Sequence, residues 1–217
     1  MTSATRTTTD PIEAVAISTI CVGWAILSST QSVVAGFKSA AFTDGAFIGL
    51  IVLELVCASI ALLTLYFRKY AVSTLCPVPS TVGLGVGLAL YLATWIACWT
   101  LTAPFAASRP EQPIDSLVST ASISLPTLVA ASLVNGTYEE VFLLGFLLRG
   151  LRGYGFSIAI GVSLLVRVLY HLYQGPLGAL SVLGFGLVLS LYYVRTGLLF
   201  PAVFAHMLAD IVPFIWR

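Results

Sequence analysis

The chain is dominated by long apolar runs, each separated from the next by a short segment rich in glycine, proline or charge. A helix needs about 20 apolar residues to cross roughly 30 Å of hydrocarbon. The pattern therefore predicts an all-α fold, a polytopic membrane helix bundle with seven to eight transmembrane segments. The predicted spans are residues 14–36, 44–67, 82–104, 116–135 with an extension toward 149, 154–172, 177–195 and 198–216.

The fourth run is too long for one crossing, because it continues from residue 116 to residue 149. Asn135 and Gly136 are the pair in this run that favours a turn, so we expect the helix to break there. A new helix would then carry Glu139 and Glu140 near its first turn. This second helix is the eighth segment that the pattern allows.

A polar, threonine-rich tail precedes the first span. Asp10, Pro11 and Glu13 have the spacing of a helix start, with an acidic N-cap, proline at the first helical position and glutamate three residues after the cap. The pattern divides the chain into three parts. These are a polar N-terminal tail (1–13), a group of N-terminal transmembrane helices (14–115) and a C-terminal transmembrane core that carries the candidate chemistry (116–217).

Composition supports the membrane assignment, since 59% of the 217 residues are hydrophobic and only 9% are charged. A soluble domain has about 25% charged residues. Mean hydropathy is +1.01. The net charge of +1 and the lack of a basic stripe exclude nucleic-acid binding. The four cysteines are scattered without C-x-x-C spacing, so we interpret them as small apolar residues of helices.

Lysine and arginine predict the orientation, because cytoplasmic loops carry an excess of these residues. With seven spans and a cytoplasmic N-terminus, six basic residues fall inside and three outside. The inside set is Arg6, Arg68, Lys69, Arg149, Arg152 and Arg195, and the outside set is Lys38, Arg109 and Arg217.

Ionisable residues within the apolar runs are the candidates for chemistry, since a charge at the bilayer centre costs about 2.5–3.5 kcal/mol on insertion scales. The only two histidines are His171 and His206. Asp210 follows His206 by one helical turn, which places both on one face. Glu139 and Glu140 are adjacent and therefore point about 100° apart. One glutamate can act on water while the other holds a positive neighbour.

Arg167 precedes His171 by one turn and cannot lose its proton inside a protein. It must either extend to the interface or meet a carboxylate, and we favour a pair with Glu139 or Glu140. Glu54 is the one mid-span ionisable residue of the N-terminal half. We favour a protonated, hydrogen-bonded Glu54 between helices, and the alternative is that it faces the cavity.

The order of these residues resembles that of the CPBP family. Two glutamates are followed by a glycine-containing apolar helix, then by a membrane histidine, and then by a second histidine with Asp four residues later. This family contains CAAX prenyl endopeptidases and bacteriocin-processing or immunity-linked intramembrane proteases. The resemblance covers roughly residues 135–212. It implies a multi-spanning helical protein whose site lies in a cavity within the bilayer.

The resemblance also implies roles for individual residues. Glu139 would activate water, Glu140 would assist, and His171, His206 and Asp210 would complete the catalytic set. Two positions depart from the family pattern. Leu144 stands where arginine is usual, and Arg167 stands where phenylalanine is usual. We hypothesise that Arg167 supplies, from the next helix, the cation that Leu144 cannot.

The resemblance predicts an intramembrane protease that hydrolyses a membrane-associated peptide or protein in the lipid bilayer, in a multi-pass protein of a bacterial cell membrane. In this hypothesis Glu139, helped by His171, takes the proton of water, and His206, oriented by Asp210, polarises the scissile carbonyl. The sequence requires no cofactor. It leaves zinc open, with Glu139, His171 and His206 as ligands. The alternative function is a catalytically inactive immunity-like binder or a carrier.

Overall fold

The computed structural model describes residues 5–38, 41–108 and 111–216. Among these residues the fold is a helical bundle that contains no β-strand. The helices are α1 (Pro11–Val34), α2 (Asp44–Phe67), α3 (Thr81–Thr102), α4 (Pro113–Ser119), α5 (Leu125–Glu140), α6 (Phe156–Tyr170), α7 (Pro176–Thr196) and α8 (Phe200–Ile215). Short 3₁₀ turns span Val72–Leu75, Ala103–Ser108, Arg152–Tyr154 and Leu172–Gln174.

Helix α5 continues without a break into a π-helical segment (Val141–Leu148) and a last α-helical turn (Arg149–Leu151). All eight residues of the π segment are buried. Hydrogen bonds of the i→i+5 type widen the helix, and such segments occur frequently at functional sites. Here the widened stretch begins directly after Glu140.

In the part of the chain that the structure describes, four helices are long and apolar enough to cross a membrane, namely Pro11–Val34, Asp44–Phe67, Thr81–Phe105 and Pro176–Thr196. Helices α6 and α8 are shorter apolar helices. Together with the continuous run from residue 125 to residue 151, they give seven helical runs between the two ends of the bundle. The membrane-bundle fold class predicted from the sequence is therefore confirmed.

The predicted break at Asn135–Gly136 is wrong, because the helix runs through both residues. Gly136 serves packing instead: a Cβ there would lie 3.1 Å from Met207 Cγ and 3.2 Å from the Met207 backbone nitrogen. The break occurs at residues 120–124, after α4. Pro126 lies in the first turn of α5, where proline favours a helix start. With seven residues, α4 is about 10 Å long and too short to cross a bilayer.

The start of α1 has the predicted cap. The Asp10 side chain accepts a hydrogen bond from the Glu13 backbone nitrogen, and proline occupies the first turn. Glu13 in turn accepts hydrogen bonds from Arg6 and Arg68, which ties the N-terminal segment to the end of α2. Thr9 donates a backbone hydrogen bond to Gly150 at the end of the continuous run.

These contacts define one end of the bundle, which we call the basic end. Of the lysines and arginines described outside the bundle interior, the basic end holds six and the opposite end holds one. The six are Arg6, Arg68, Lys69, Arg149, Arg152 and Arg195, and the one is Lys38. Arg109 and Arg217, which the sequence places opposite the basic end, lie outside the described residues.

The opposite end, which we call the mouth end, collects the starts of α2, α5 and α7. Ser122 donates a backbone hydrogen bond to Phe42, and the Ser124 backbone nitrogen donates to Asp44. The Leu177 backbone nitrogen donates to the side chain of Gln112. The loop before α4 is thereby packed against the turn that follows His171.

The excess of positive charge predicts that the basic end faces the cytoplasm. Tyr154 is half exposed at this end, and Glu111 is exposed at the mouth end. In a variant with its native cysteines replaced by alanine, Glu111→Cys should react with an impermeant maleimide on intact cells. Tyr154→Cys should react only after permeabilisation. The reverse pattern would contradict the orientation.

Candidate active site

Three helices bring the predicted site residues together. Helix α5 carries Glu139 and Glu140, α6 carries Arg167, and α8 carries His206 and Asp210. The close approach of α5 to α8 depends on Gly136, because a side chain there would meet the α8 backbone at Met207. Small residues at such contacts let membrane helices pack backbone to backbone.

Glu140 lies at the centre of the cluster and is fully buried. Arg167 Nη2 donates to both carboxylate oxygens of Glu140, at 2.8 Å each. His206 Nδ1 donates to Glu140 Oε1 at 2.6 Å. One carboxylate therefore links α5, α6 and α8, and the predicted pair between Arg167 and the twin glutamates is confirmed.

Arg167 is 1% exposed, so its charge is removed from both lipid and water. Its guanidinium carbon lies 5.5 Å from the centroid of the Phe185 ring, which is a cation–π distance. Gly186 makes room for its aliphatic part, since a Cβ at Gly186 would lie 2.8 Å from Arg167 Cδ. Two neighbouring residues of α7 thus complete the arginine pocket.

Glu139 has different surroundings from Glu140. Its Oε2 accepts a hydrogen bond from Tyr170 Oη at 2.5 Å and lies 3.5 Å from Arg167 Nη1. Its Oε1 accepts from Asn135 Nδ2 at 3.3 Å. Glu139 lines a cavity of about 1170 Å³, whereas Glu140 is not among the lining residues. The two glutamates diverge as their spacing predicts.

His206 connects the two carboxylates. Because a carboxylate only accepts hydrogen bonds, Nδ1 carries the proton that points at Glu140. The opposite ring nitrogen, Nε2, lies 3.9 Å from Glu139 Oε2 and 3.6 Å from Asp210 Oδ1. The sequence hypothesis gave Asp210 the task of orienting His206. In the structure Glu140 makes that hydrogen bond, because 3.6 Å exceeds a hydrogen-bond distance.

His171 follows the last residue of α6. Its Nδ1 lies 2.9 Å from the backbone carbonyl of Arg167, an acceptor that assigns the proton to Nδ1 and leaves Nε2 with its lone pair. Its ring lies 4.4 Å from the Tyr170 ring, between centroids. The sequence showed no orienting partner for this histidine, and the Arg167 carbonyl supplies one. His171 is half-buried and lines the same cavity as Glu139 and His206.

The cavity extends from Glu139 to the mouth end. Its deep part is lined by Glu139, His206 and Asp210, and its outer part by side chains that include Lys38 and Phe42. Polar groups that are expensive in hydrocarbon therefore face a space that water can fill.

The donor set does not fit a metal ion in this arrangement. Within residues 5–38, 41–108 and 111–216, no group of three or more His, Cys, Asp or Glu side chains is placed to hold one. The open zinc hypothesis required Glu139, His171 and His206 together. Glu139 Oε2 is instead engaged by Tyr170 and Arg167.

The sequence analysis did not identify several residues of the site. Asn135 lies one turn before Glu139, a helical spacing that could have identified it. Tyr170 adjoins His171, but nothing in the pattern indicates that its hydroxyl reaches Glu139. Phe185 and Gly186 belong to an apolar helix and carry no sequence signal of a role at Arg167.

Residues 121–212 match the sequence model of the family described as type II CAAX prenyl endopeptidase Rce1-like. The chain carries an Rce1-like segment. This finding confirms the family resemblance inferred from the motifs. No curated protein and no solved structure matches the chain.

The Rce1-like segment begins between α4 and α5 and ends within α8. It contains every residue of the cluster around Glu139 and Glu140. Helices α1 to α4 precede it, yet α1, α2 and α3 also line the cavity, through residues such as Ser29, Glu54 and Trp95. The cavity is thus formed by both halves of the chain.

Gly186→Ala tests whether the arginine pocket is as tight as described. The added methyl would lie 2.8 Å from both Arg167 Cδ and Leu164 Cδ2, and overpacking of this kind costs about 1–3 kcal/mol. Gly161→Ala is the matched control, because its Cβ would meet nothing within 4 Å. Thermal unfolding of purified protein should show a loss only for Gly186→Ala, and equal unfolding temperatures would contradict the pocket.

Arg167→Phe restores the usual residue of the family pattern at one position. It should destabilise the protein by about 3–5 kcal/mol and abolish its activity, because Glu140 is left buried without its cation. The double variant Arg167→Phe with Leu144→Arg should recover activity if the departures from the family pattern at these two positions offset each other. Equal loss in the single and double variants, measured as activity and thermal stability, would refute that compensation.

Proposed function

We propose that this protein is an intramembrane endopeptidase that cleaves a membrane-associated peptide in the cavity, with Glu139 as the base that activates water. One observation carries the proposal. Glu139 faces the cavity with His206 Nε2 3.9 Å away, while the neighbouring Glu140 is held behind the cavity wall by Arg167 and His206. The match of residues 121–212 to a CAAX endopeptidase family supports the same reaction class.

In the proposed first step, Glu139 takes a proton from water while the water oxygen attacks the scissile carbonyl carbon. His171 Nε2 faces the cavity with a lone pair and helps to hold that water. A positioned general base contributes about 10²–10⁴-fold to a rate. Tyr170 and Asn135 fix the Glu139 carboxylate, so its geometry is set before the substrate enters.

Protonated His206 stabilises the negative charge that develops on the carbonyl oxygen. Its Nδ1 is fixed by Glu140, so Nε2 is aimed at the cavity and donates to the oxyanion. Loss of one such donor costs about 2.7–4 kcal/mol in other hydrolases. The proton taken by Glu139 then passes to the leaving amine, and the peptide bond breaks.

In this proposal the remaining charged residues are positioning residues. Arg167 holds Glu140, and Glu140 holds the Nδ1 proton of His206. Asp210, 3.6 Å from His206 Nε2, favours the protonated imidazole. The reaction as proposed uses water alone and no cofactor.

The test is proteolysis of a membrane-peptide library by purified protein in liposomes, read by mass spectrometry. Glu139→Gln should lose at least about 100-fold in cleavage rate, because the amide cannot accept the proton, and should be destabilised less than Glu140→Gln, because the amide oxygen can still accept from Tyr170. Glu140→Gln should lose both activity and stability, since Arg167 is left without its ion pair. Glu111→Gln, an exposed glutamate at the mouth end, is the control and should behave as the wild type.

Two results would contradict the proposal. Cleavage that survives Glu139→Gln would remove Glu139 as the base, whereas a biological activity that survives Glu139→Gln without any cleavage would favour the binder or carrier. Cleavage that is abolished by a chelator and restored by zinc would contradict the metal-free route while keeping the peptidase assignment.

A further inference from the structure

Three acceptor oxygens on the cavity wall have no hydrogen-bond partner among the described residues. They are Glu54 Oε2, Asn135 Oδ1 and Asp210 Oδ2. They come from α2, α5 and α8, and all three side chains line the cavity that contains Glu139. Buried polar atoms in proteins are nearly always paired, so three on one cavity require a cause.

Glu54 is the most unusual of the three. It is 3% exposed and is the only acidic or basic residue between Gly45 and Phe67, in the middle of an apolar span. A carboxylate at such a depth costs about 2.5–3.5 kcal/mol on insertion scales and marks a functional site by default. It also lies outside the Rce1-like segment, so the family match does not account for it.

The electrostatic balance of the cavity points to a positive ligand. The described wall carries the carboxyl groups of Glu54, Asp115, Glu139 and Asp210. The lysine and arginine on the described wall are Lys38, in the outer part, and Arg167, whose Nη2 donates to Glu140 while its Nη1 lies 3.5 Å from Glu139 without a hydrogen-bond partner. Among the buried side-chain atoms of the described wall that have no hydrogen-bond partner, three are oxygens and one, Arg167 Nη1, is a donor, so acceptors are in excess.

We propose that Glu54, Asn135 and Asp210 form a subsite that binds a cationic side chain of the substrate, the ammonium of lysine or the guanidinium of arginine. An ammonium group offers three N–H donors and a guanidinium offers five. The inference rests on the proposed function, which supplies the substrate class. It places a basic residue of the peptide beside the scissile bond, which is attacked by the water that Glu139 activates.

An apolar side chain in this subsite would leave the three oxygens dehydrated and unpaired. A site built to hydrogen-bond a polar group rejects the analogue that lacks it more strongly than an apolar pocket rejects an extra methylene. The subsite therefore selects for charge, while apolar lining residues such as Phe42 and Leu50 accept hydrophobic neighbours in the same peptide. Ordered water that satisfies the three oxygens permanently is the competing explanation.

Direct peptide binding tests the subsite without requiring cleavage. Fluorescent decapeptide mixtures of leucine and alanine carry lysine at one scanned position, and the paired mixtures carry norleucine there. Binding to wild type, Glu54→Gln and Glu111→Gln is measured by anisotropy in the same detergent, and mass spectrometry checks the peptides afterwards. Thermal unfolding verifies that the Glu54→Gln protein is folded, and Asn135→Leu provides a second variant of the subsite.

Wild type and Glu111→Gln should prefer lysine by about tenfold or more at one position, as expected for a charge-assisted hydrogen bond. Glu54→Gln and Asn135→Leu should reduce that preference to about twofold or less. No preference for lysine at any position, or a preference that persists in both variants, would overturn the subsite. Lysine-selective binding without any cleavage by the wild type would refute the peptidase proposal and leave the subsite intact.

Discussion

An arginine that cannot lose its proton inside an apolar bundle must be paired, and this constraint organises the structure. Arg167 meets that requirement by donating to both oxygens of Glu140, and His206 donates to the same carboxylate. Because the three residues come from α6, α5 and α8, satisfying one charge fixes the relative positions of three helices. A buried ion pair of this kind is costly to break and specifies an arrangement more than it adds net stability.

The different surroundings of the two glutamates follow from that pair. Once Glu140 is turned toward Arg167, the helical offset directs Glu139 into the cavity. The proton on His206 Nδ1 is committed to Glu140, so Nε2 is presented to the same space. Two glycines complete the arrangement. Gly136 lets α8 pack closely against α5, and Gly186 leaves room for the arginine side chain. The chemistry we propose thus depends on residues that never touch a substrate.

Much of this arrangement could be predicted from the sequence. Apolar run lengths predicted the crossings, and the Asp10 cap and the pairing of Arg167 followed from local rules and from the cost of a charge in lipid. The helix through Asn135–Gly136 could not be predicted, because Gly136 is required by the distant Met207 and by no local signal. For the same reason, the sequence could not show that Glu140 orients His206, and it left open whether Glu54 faces the cavity, as it does in the structure.

The central claim is that Glu140 and Arg167 are coupled inside the bundle, and a double-mutant cycle measures that coupling directly. The free energy of unfolding would be compared for wild type, Glu140→Gln, Arg167→Met and the double variant. A mutual ion pair predicts that the double variant loses less than the sum of the single losses, by about 2 kcal/mol. Additive losses would mean that the two residues do not interact, and would contradict the account of the site.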